Sequence, residues 1–213
     1  MTATVWADSY GAARSYLNSR FRRILDVVVA SSLLILLAPA LCLIAIGIRL
    51  STPGPVIFRQ LRHGKGQRPF ELLKFRSMYW AGESEVTIKQ ATPGDSRVTA
   101  LGRILRYTSM DELPQLINVI RGEMSLVGPR PHAIEHDNYY ADLIPNYRKR
   151  FQARPGLTGL AQVSGARGRT PHIEDMQRRI DLDLLYLESA SLMLDCRIFL
   201  RTFKEVFNSE TAY

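Results

Sequence analysis

Two adjacent carboxylates, Asp111 and Glu112, stand near the start of the stretch Ser109 to Arg130, which ends on an arginine held between Pro129 and Pro131. An ionised carboxylate can bind a hard cation or act as a nucleophile, and an arginine offers forked contacts to a phosphate. An acidic site therefore faces a basic one about one helix away. The same residues also have a purely structural reading. Ser109 with Glu112 three residues on matches a capping box, and Leu113, Leu116, Ile117 and Ile120 share one helical face. Pro114 sits too deep for a helix capped at Ser109, so the spacing predicts a helix starting at Asp111 or Glu112. Either start places both carboxylates at the positive end of a helix, which favours their ionised forms.

Basic residues surround this stretch. Val56 to Arg62, a turn over His63 to Gln67, and Phe70 to Phe75 read as strand, turn, strand. Between Arg59 and Arg76 six Lys or Arg stand against one acid, Glu71. Lys74 and Arg76 flank Phe75 at the end of the second strand and are the better candidates for holding an anion. Arg97 to Tyr107 has a helical pattern, with Val98, Leu101, Ile104 and Leu105 on one face and Arg103 and Arg106 elsewhere. Arg154 to Gly159 and Gly165 to Arg169 form a glycine- and arginine-rich loop that could approach an anion but matches no P-loop or dinucleotide fingerprint. His132 to His136 is formally H-x-x-E-H, but no downstream metal ligand can be assigned, and a surface helix is the expectation.

The remaining elements must position these groups. With 213 residues and 46% hydrophobic content the chain can bury one main core. Its net charge of +8 implies anionic partners, and no nucleic-acid-binding motif is present. Cys42 and Cys196 indicate no disulfide framework. Residues 1–19 read as a polar tail and 20–52 as a membrane element, because the 22 residues from Val27 to Ile48 are uncharged. Arginines flank both ends of that run (Arg20, Arg22 and Arg23 before, Arg49 after), and Pro39 lies near its middle. Both ends on one side is the simpler electrostatic solution, so the expectation is a re-entrant helix-break-helix broken at Pro39, against the alternative of a kinked crossing helix. Thr52-Pro53-Gly54-Pro55 opens a soluble domain over 53–213. Ile173 to Glu188 and Ser191 to Phe207 read as helices. In the second, Leu192, Cys196, Phe199, Phe203 and Val206 form an apolar stripe expected to pack in the core, or else to lie at a membrane interface. The fold class is α+β, mostly helical, with a small β-hairpin and surface amphipathic helices.

The motifs P-G-P-V-I-F-R-Q (53–60), K-F-R-S-M (74–78), D-S-R-V-T (95–99), S-M-D-E-L-P-Q-L-I-N-V (109–119), G-E-M-S-L-V-G-P-R-P (122–131) and P-G-L-T-G-L-A-Q-V-S-G (155–165) occur in this order. Together, over residues 21 to about 207, the chain resembles the bacterial sugar transferases, small monotopic phosphoglycosyl transferases. The resemblance implies transfer of a sugar 1-phosphate from a UDP-sugar to polyprenyl (undecaprenyl) phosphate with release of UMP, as the first membrane step of exopolysaccharide or other glycoconjugate assembly. It implies Asp111 as nucleophile, through a covalent phosphosugar intermediate, with Glu112 beside it and Mg²⁺ held by the pair. Lys74, Arg76, Arg106 and Arg130 become phosphate partners, and the loop carrying Gly156, Gln162, Arg167 and Arg169 the place for nucleotide or sugar. The implied location is the bacterial inner membrane, with the catalytic domain facing the cytoplasm. Family members often carry serine before the membrane proline, where this chain has Ala38. A membrane-bound nucleic-acid binder and a hydrolase with an aspartyl intermediate are the alternatives. The sugar and the oligomeric state are not encoded in any motif.

Overall fold

The computed structural model describes residues 11–80, 94–168 and 170–207, together with Gly82 and Thr92. Residues 11–17 are helical (α1), and Ala13 and Leu17 join the main core. Helix α2 (Arg20–Ser51) starts at Ser19, whose hydroxyl accepts from the Arg22 N–H. Pro39 lies inside it, and helical backbone continues on both sides. The expected break at Pro39 is thus absent from the helical backbone: the proline removes a single backbone donor and the neighbouring turns keep theirs, so a return to the same face falls to a bend within one helix.

The hairpin is present, with β1 (Ile57–His63) antiparallel to β2 (Pro69–Phe75) and Phe58 opposite Lys74. Helix α3 (Ala100–Tyr107) follows, capped by Thr99. The expected helix start at Asp111 or Glu112 is replaced by a 3₁₀ turn, Met110–Glu112, and α4 (Gln115–Arg121) begins only after Pro114. Ser109 does not cap; it stands in the left-handed region at φ 58°, reversing the chain between α3 and the turn. Strand β3 (Ser125–Val127) pairs in parallel with β4 (Gly156–Thr158), a sheet absent from the sequence reading because three-residue strands carry no periodicity. Between them lie α5 (Ile134–Leu143) and a 3₁₀ segment (Tyr147–Gln152), and after them α6 (Leu160–Val163), α7 (Ile173–Ser189) and α8 (Leu192–Phe207).

Two joints fix the hairpin and the apolar helix to the body. Asn118, fully buried on α4, accepts from the Leu73 N–H at 3.0 Å and donates to the Glu71 carbonyl at 2.7 Å, docking β2 on α4. At the start of α2, Asp26 accepts from the Ser125 hydroxyl (2.7 Å) and the Leu126 N–H (3.0 Å), while Arg22 donates to the Val127 carbonyl, Tyr186 and Asp195. Arg23 donates to the Val119 and Ile120 carbonyls at the end of α4. Of the arginines read from sequence as flanking charges of a membrane segment, Arg22 and Arg23 are thus consumed by the fold, while Arg20 and Arg49 stay exposed.

Arg76 needs the same correction. Only 4% exposed, it donates to the carbonyls of Ile48 (3.2 Å), Thr52 (2.7 Å) and Pro53 (2.9 Å) and to the Thr52 hydroxyl. It closes the C-terminal end of α2, where unpaired carbonyls and the helix dipole favour a cation, and it does not reach out as a phosphate ligand. The expectation that the apolar stripe of α8 packs in the core is corrected too, because Ile198 is the buried residue while Leu192, Cys196 and Phe203 are exposed, as the interface alternative requires. Arg76→Met should cost about 3 kcal/mol, as charge-assisted hydrogen bonds from a buried guanidinium are lost. Thermal unfolding of the detergent-solubilised chain checks this; an unchanged melting temperature would refute the capping role.

Candidate active site

Three segments converge on Glu112. Lys74, at the end of β2, donates to its Oε1 at 2.8 Å. Arg130, three residues past β3, grips both oxygens, Nη1 to Oε2 at 3.0 Å and Nη2 to Oε1. These are charge-assisted contacts in a half-buried setting, and they hold Glu112 well below the usual carboxylate range, ionised despite burial. Asp111, its neighbour, is treated oppositely by the fold. Its side chain is 7% exposed, and no hydrogen bond to its carboxylate is found among the described residues. Burial pushes it up from 3.8 to about 6, opposed by Lys74 and reinforced by the Glu112 charge. The sequence expectation that a helix start keeps both carboxylates readily ionised is corrected for Asp111, since the turn is 3₁₀ and desolvation dominates.

The loop bearing Arg130 is fixed from behind. The Pro129 carbonyl accepts from the Gly156 N–H at 2.9 Å, and Gly128 N–H donates to the Thr158 carbonyl at 2.8 Å. The Arg130 carbonyl accepts from Arg150, which is 3% exposed, bonded to Asp183 at 2.9 Å, and shares a buried cluster with His132, Asp137 and Tyr147. His132 is therefore a buried member of this network, outside the helix of the expected H-x-x-E-H pattern, and its pKa is driven far down by burial and the nearby arginines. The sequence pattern gave His132 only a surface-helix reading and did not mark Arg150, because the network joins the loop after β3, the 3₁₀ segment and α7.

The sequence-selected residues divide as follows. Lys74, Asp111, Glu112 and Arg130 are brought together, and Arg106 acts on Asp111 electrostatically, lowering its pKa. Arg167 joins them through a 2.6 Å hydrogen bond to the Ser109 hydroxyl. Arg76 and Pro39 lie in the α2 joint and the α2 interior instead. Gly156 serves close backbone packing, since a Cβ there would come within 2.1 Å of the Gly128 nitrogen, and its own N–H is already taken by Pro129. Arg169 lies outside the described residues. Gln162 and Arg167 line a cleft next to Arg130. Phe199, Thr202 and Glu205 of α8 complete that cleft, and the sequence reading missed them because an α8 apolar stripe reads as packing.

No group of three or more metal-ligating side chains occurs among the described residues. Glu112 has both oxygens engaged by cations, so Asp111 is the carboxylate left open to a metal, which suits a hard ion that takes one protein carboxylate and completes its shell with phosphate oxygens and water.

Residues 17–209 match the model of the bacterial sugar transferase family, and the chain belongs to that family. It is 54% identical over 192 residues to the UDP-glucose:undecaprenyl-phosphate glucose-1-phosphate transferase of Caulobacter vibrioides, covering 90% of this chain and 72% of that protein. The Escherichia coli protein of the same name is 45% identical over 204 residues, 96% of this chain and 44% of its own length. The exopolysaccharide production protein PSS of Rhizobium leguminosarum is 43% identical over 184 residues, covering 85% of this chain and 92% of that protein. The chain thus spans less than half of the Escherichia coli relative.

The two carboxylates should move stability in opposite directions. A raised carboxyl pKa means the folded state holds the proton more tightly, so Asp111 contributes stability below its unfolded value that is lost as pH rises through about 6. A depressed one, Glu112, contributes stability above its unfolded value that is lost only as pH falls through its low folded value. At pH 7.5 in EDTA, Asp111→Asn should therefore raise stability by about 1–3 kcal/mol, and Glu112→Gln should lower it by about 3 kcal/mol. Melting temperatures of both variants decide this, and a shift in the same direction would contradict the assigned environments.

Proposed function

We propose that the chain is an undecaprenyl-phosphate sugar phosphotransferase: it moves a sugar 1-phosphate from a UDP-sugar to polyprenyl phosphate and releases UMP. The observation that supports this best is the unequal dyad, with Glu112 clamped by Lys74 and Arg130 and Asp111 left without a hydrogen bond beside them. UDP-glucose is the proposed donor, because the Caulobacter and Escherichia coli relatives are named for it.

Asp111 is the proposed nucleophile. Its carboxylate oxygen attacks the phosphorus bearing the sugar, the bond from that phosphorus to the bridging oxygen breaks, and UMP leaves with the electron pair. The phosphate oxygen of the polyprenyl acceptor then attacks the same phosphorus and displaces Asp111, giving the polyprenyl diphosphate sugar. An anionic nucleophile approaching an anionic diphosphate needs positive charge around it. Lys74, Arg106, Arg130 and Arg167 supply four cations against two carboxylates. Arg130 spends two N–H groups on Glu112 and Lys74 one, so both retain donors for phosphate oxygens. Asp111 would hold Mg²⁺, whose charge would offset part of that developing on the phosphate oxygens. Glu112 keeps the two cations aimed and is the positioning member of the pair.

A membrane location at the cytoplasmic face suits an isoprenoid acceptor, and α2 is proposed to enter and leave on that face. Both of its ends are bonded to one body, Arg22 and Asp26 to β3 and Ile48 to Arg76, while Ile35, Leu36 and Leu43 in its middle are more than 70% exposed. A 32-residue helix is about 48 Å long, so a crossing orientation would carry its ends to opposite sides of a hydrocarbon core about 30 Å thick.

Asp111→Asn should reduce UMP release from UDP-glucose at least about 1,000-fold, and acid-quenched wild-type enzyme incubated with radiolabelled UDP-glucose alone should carry label that the variant lacks. Normal release by the variant would sink the nucleophile assignment. Cysteines introduced singly at Arg14 and Arg201 in a chain lacking Cys42 and Cys196 should both be shielded from an impermeant reagent in intact cells. Labelling of one alone would place the ends on opposite faces and exclude the re-entrant reading.

A further inference from the structure

The cleft beside Arg130 carries a carboxylate that the chemistry above leaves unused. On α8, Phe199, Thr202 and Glu205 follow one another at three-residue spacing and all line the cleft, so one face of the helix forms its wall. Thr202 pins that face, its hydroxyl pairing with the Thr158 hydroxyl of β4 at 2.7 Å. Glu205, one turn further on, is half-buried, and no ion pair or hydrogen bond to its carboxylate is found among the described residues. Arg167 lies within electrostatic reach of Glu205 as well as of Asp111 and Glu112, while its guanidinium is bonded to the Ser109 hydroxyl at 2.6 Å. A single arginine thus links the dyad to Glu205. Helix stability does not account for the position, since a negative charge in the last turn of a helix opposes its dipole.

The charges around the cleft narrow what binds there. Arg130 and Arg167 suit phosphate oxygens, whereas Glu205 repels them and offers acceptors only. A free cation would be repelled by the same two arginines. The group that meets Glu205 must therefore be neutral and must donate hydrogen bonds. Leu157, Val163 and Phe199 supply apolar surface in the same cleft. A vicinal diol on a sugar ring meets these demands, because two hydroxyls can donate to the two oxygens of one carboxylate while the carbon face of the ring packs on apolar side chains. The donor of the proposed reaction carries such hydroxyls in two places, its ribose and its hexose.

We infer that Glu205 holds a vicinal diol of the nucleotide-sugar donor, on the ribose or the hexose, while Arg130 and Arg167 hold its phosphates; the inference rests on the transferase reading and names the residue that grips the donor away from its phosphates. Both arginines are already anchored, Arg130 on Glu112 and Arg167 on Ser109, so a donor held at Glu205 presents its diphosphate to them beside Asp111.

The test is calorimetric titration of the full detergent-solubilised chain and its Glu205→Ala variant, at fixed Mg²⁺, with UDP-glucose, UDP and 2′,3′-dideoxy-UDP. The last keeps both phosphates and lacks the ribose diol and the hexose alike. UDP-glucose should bind the variant about tenfold or more weakly than the wild type, the scale of hydrogen bonds to a charged acceptor. Dideoxy-UDP should bind the variant as tightly or more tightly, because the repelling carboxylate is gone. A loss shared by UDP assigns the diol to the ribose, and a loss confined to UDP-glucose assigns it to the hexose. A loss below about twofold for UDP-glucose, or an equal loss for dideoxy-UDP, would overturn the assignment. So would equal binding of UDP-glucose and dideoxy-UDP by the wild type, a comparison that needs no variant to fold. Wild-type turnover of UDP-glucose without the selective loss in the variant would overturn the diol site alone. The selective loss, with no UMP released by the wild type when polyprenyl phosphate is added, would support the diol site and overturn the transferase reading.

Discussion

The ion triad Lys74–Glu112–Arg130 is the constraint on which the rest of the site depends. Each member comes from a different part of the chain: the end of β2, the 3₁₀ turn after α3, and the loop after β3. Two cations this close would repel each other, and Glu112 between them turns that repulsion into a joint. The joint holds only because each partner is fixed from behind, Lys74 through the docking of β2 on Asn118 and Arg130 through Arg150 and the β3–β4 sheet. Preorganised cations of this kind stabilise developing phosphoryl charge without moving during reaction.

Asp111 gains its character by contrast with its neighbour. Adjacent in sequence and of the same charge type, the two carboxylates are pushed apart in pKa because one is satisfied by cations and the other is desolvated without a hydrogen bond. Pairs of titratable groups separated in this way by their environments mark acid, base and nucleophile roles. The left-handed Ser109 makes the arrangement possible, since it turns the chain sharply enough that Asp111 faces inward, and its hydroxyl receives Arg167. Backbone strain of this kind gathers at functional sites.

Helix α2 is built into the fold. Asp26 and Arg22 seize the backbone of β3 near its start, and Arg76 seizes its last carbonyls. The strand that leads to Arg130 is therefore held directly by the apolar helix. Movement of the helix would therefore carry β3, and the loop bearing Arg130, with it.

From the sequence alone, the dyad, the basic hairpin, the apolar segment and the family were all legible, because hairpins, long apolar runs and co-linear motifs are local patterns. Lys74 and Arg130, read as phosphate partners, and Gln162 and Arg167, read as a separate loop, lie near one another in the fold. Tertiary structure decided what no local pattern encodes. Lys74 and Arg76 are two residues apart, and strand alternation would put them on one face, yet Lys74 faces Glu112 while Arg76, just past the end of β2, turns to the last carbonyls of α2. The divergence of Asp111 from Glu112 is a matter of burial, and burial is set by segments far away in the chain. Sequence determined which groups are present; packing alone determined which of them are already satisfied and which still await a partner.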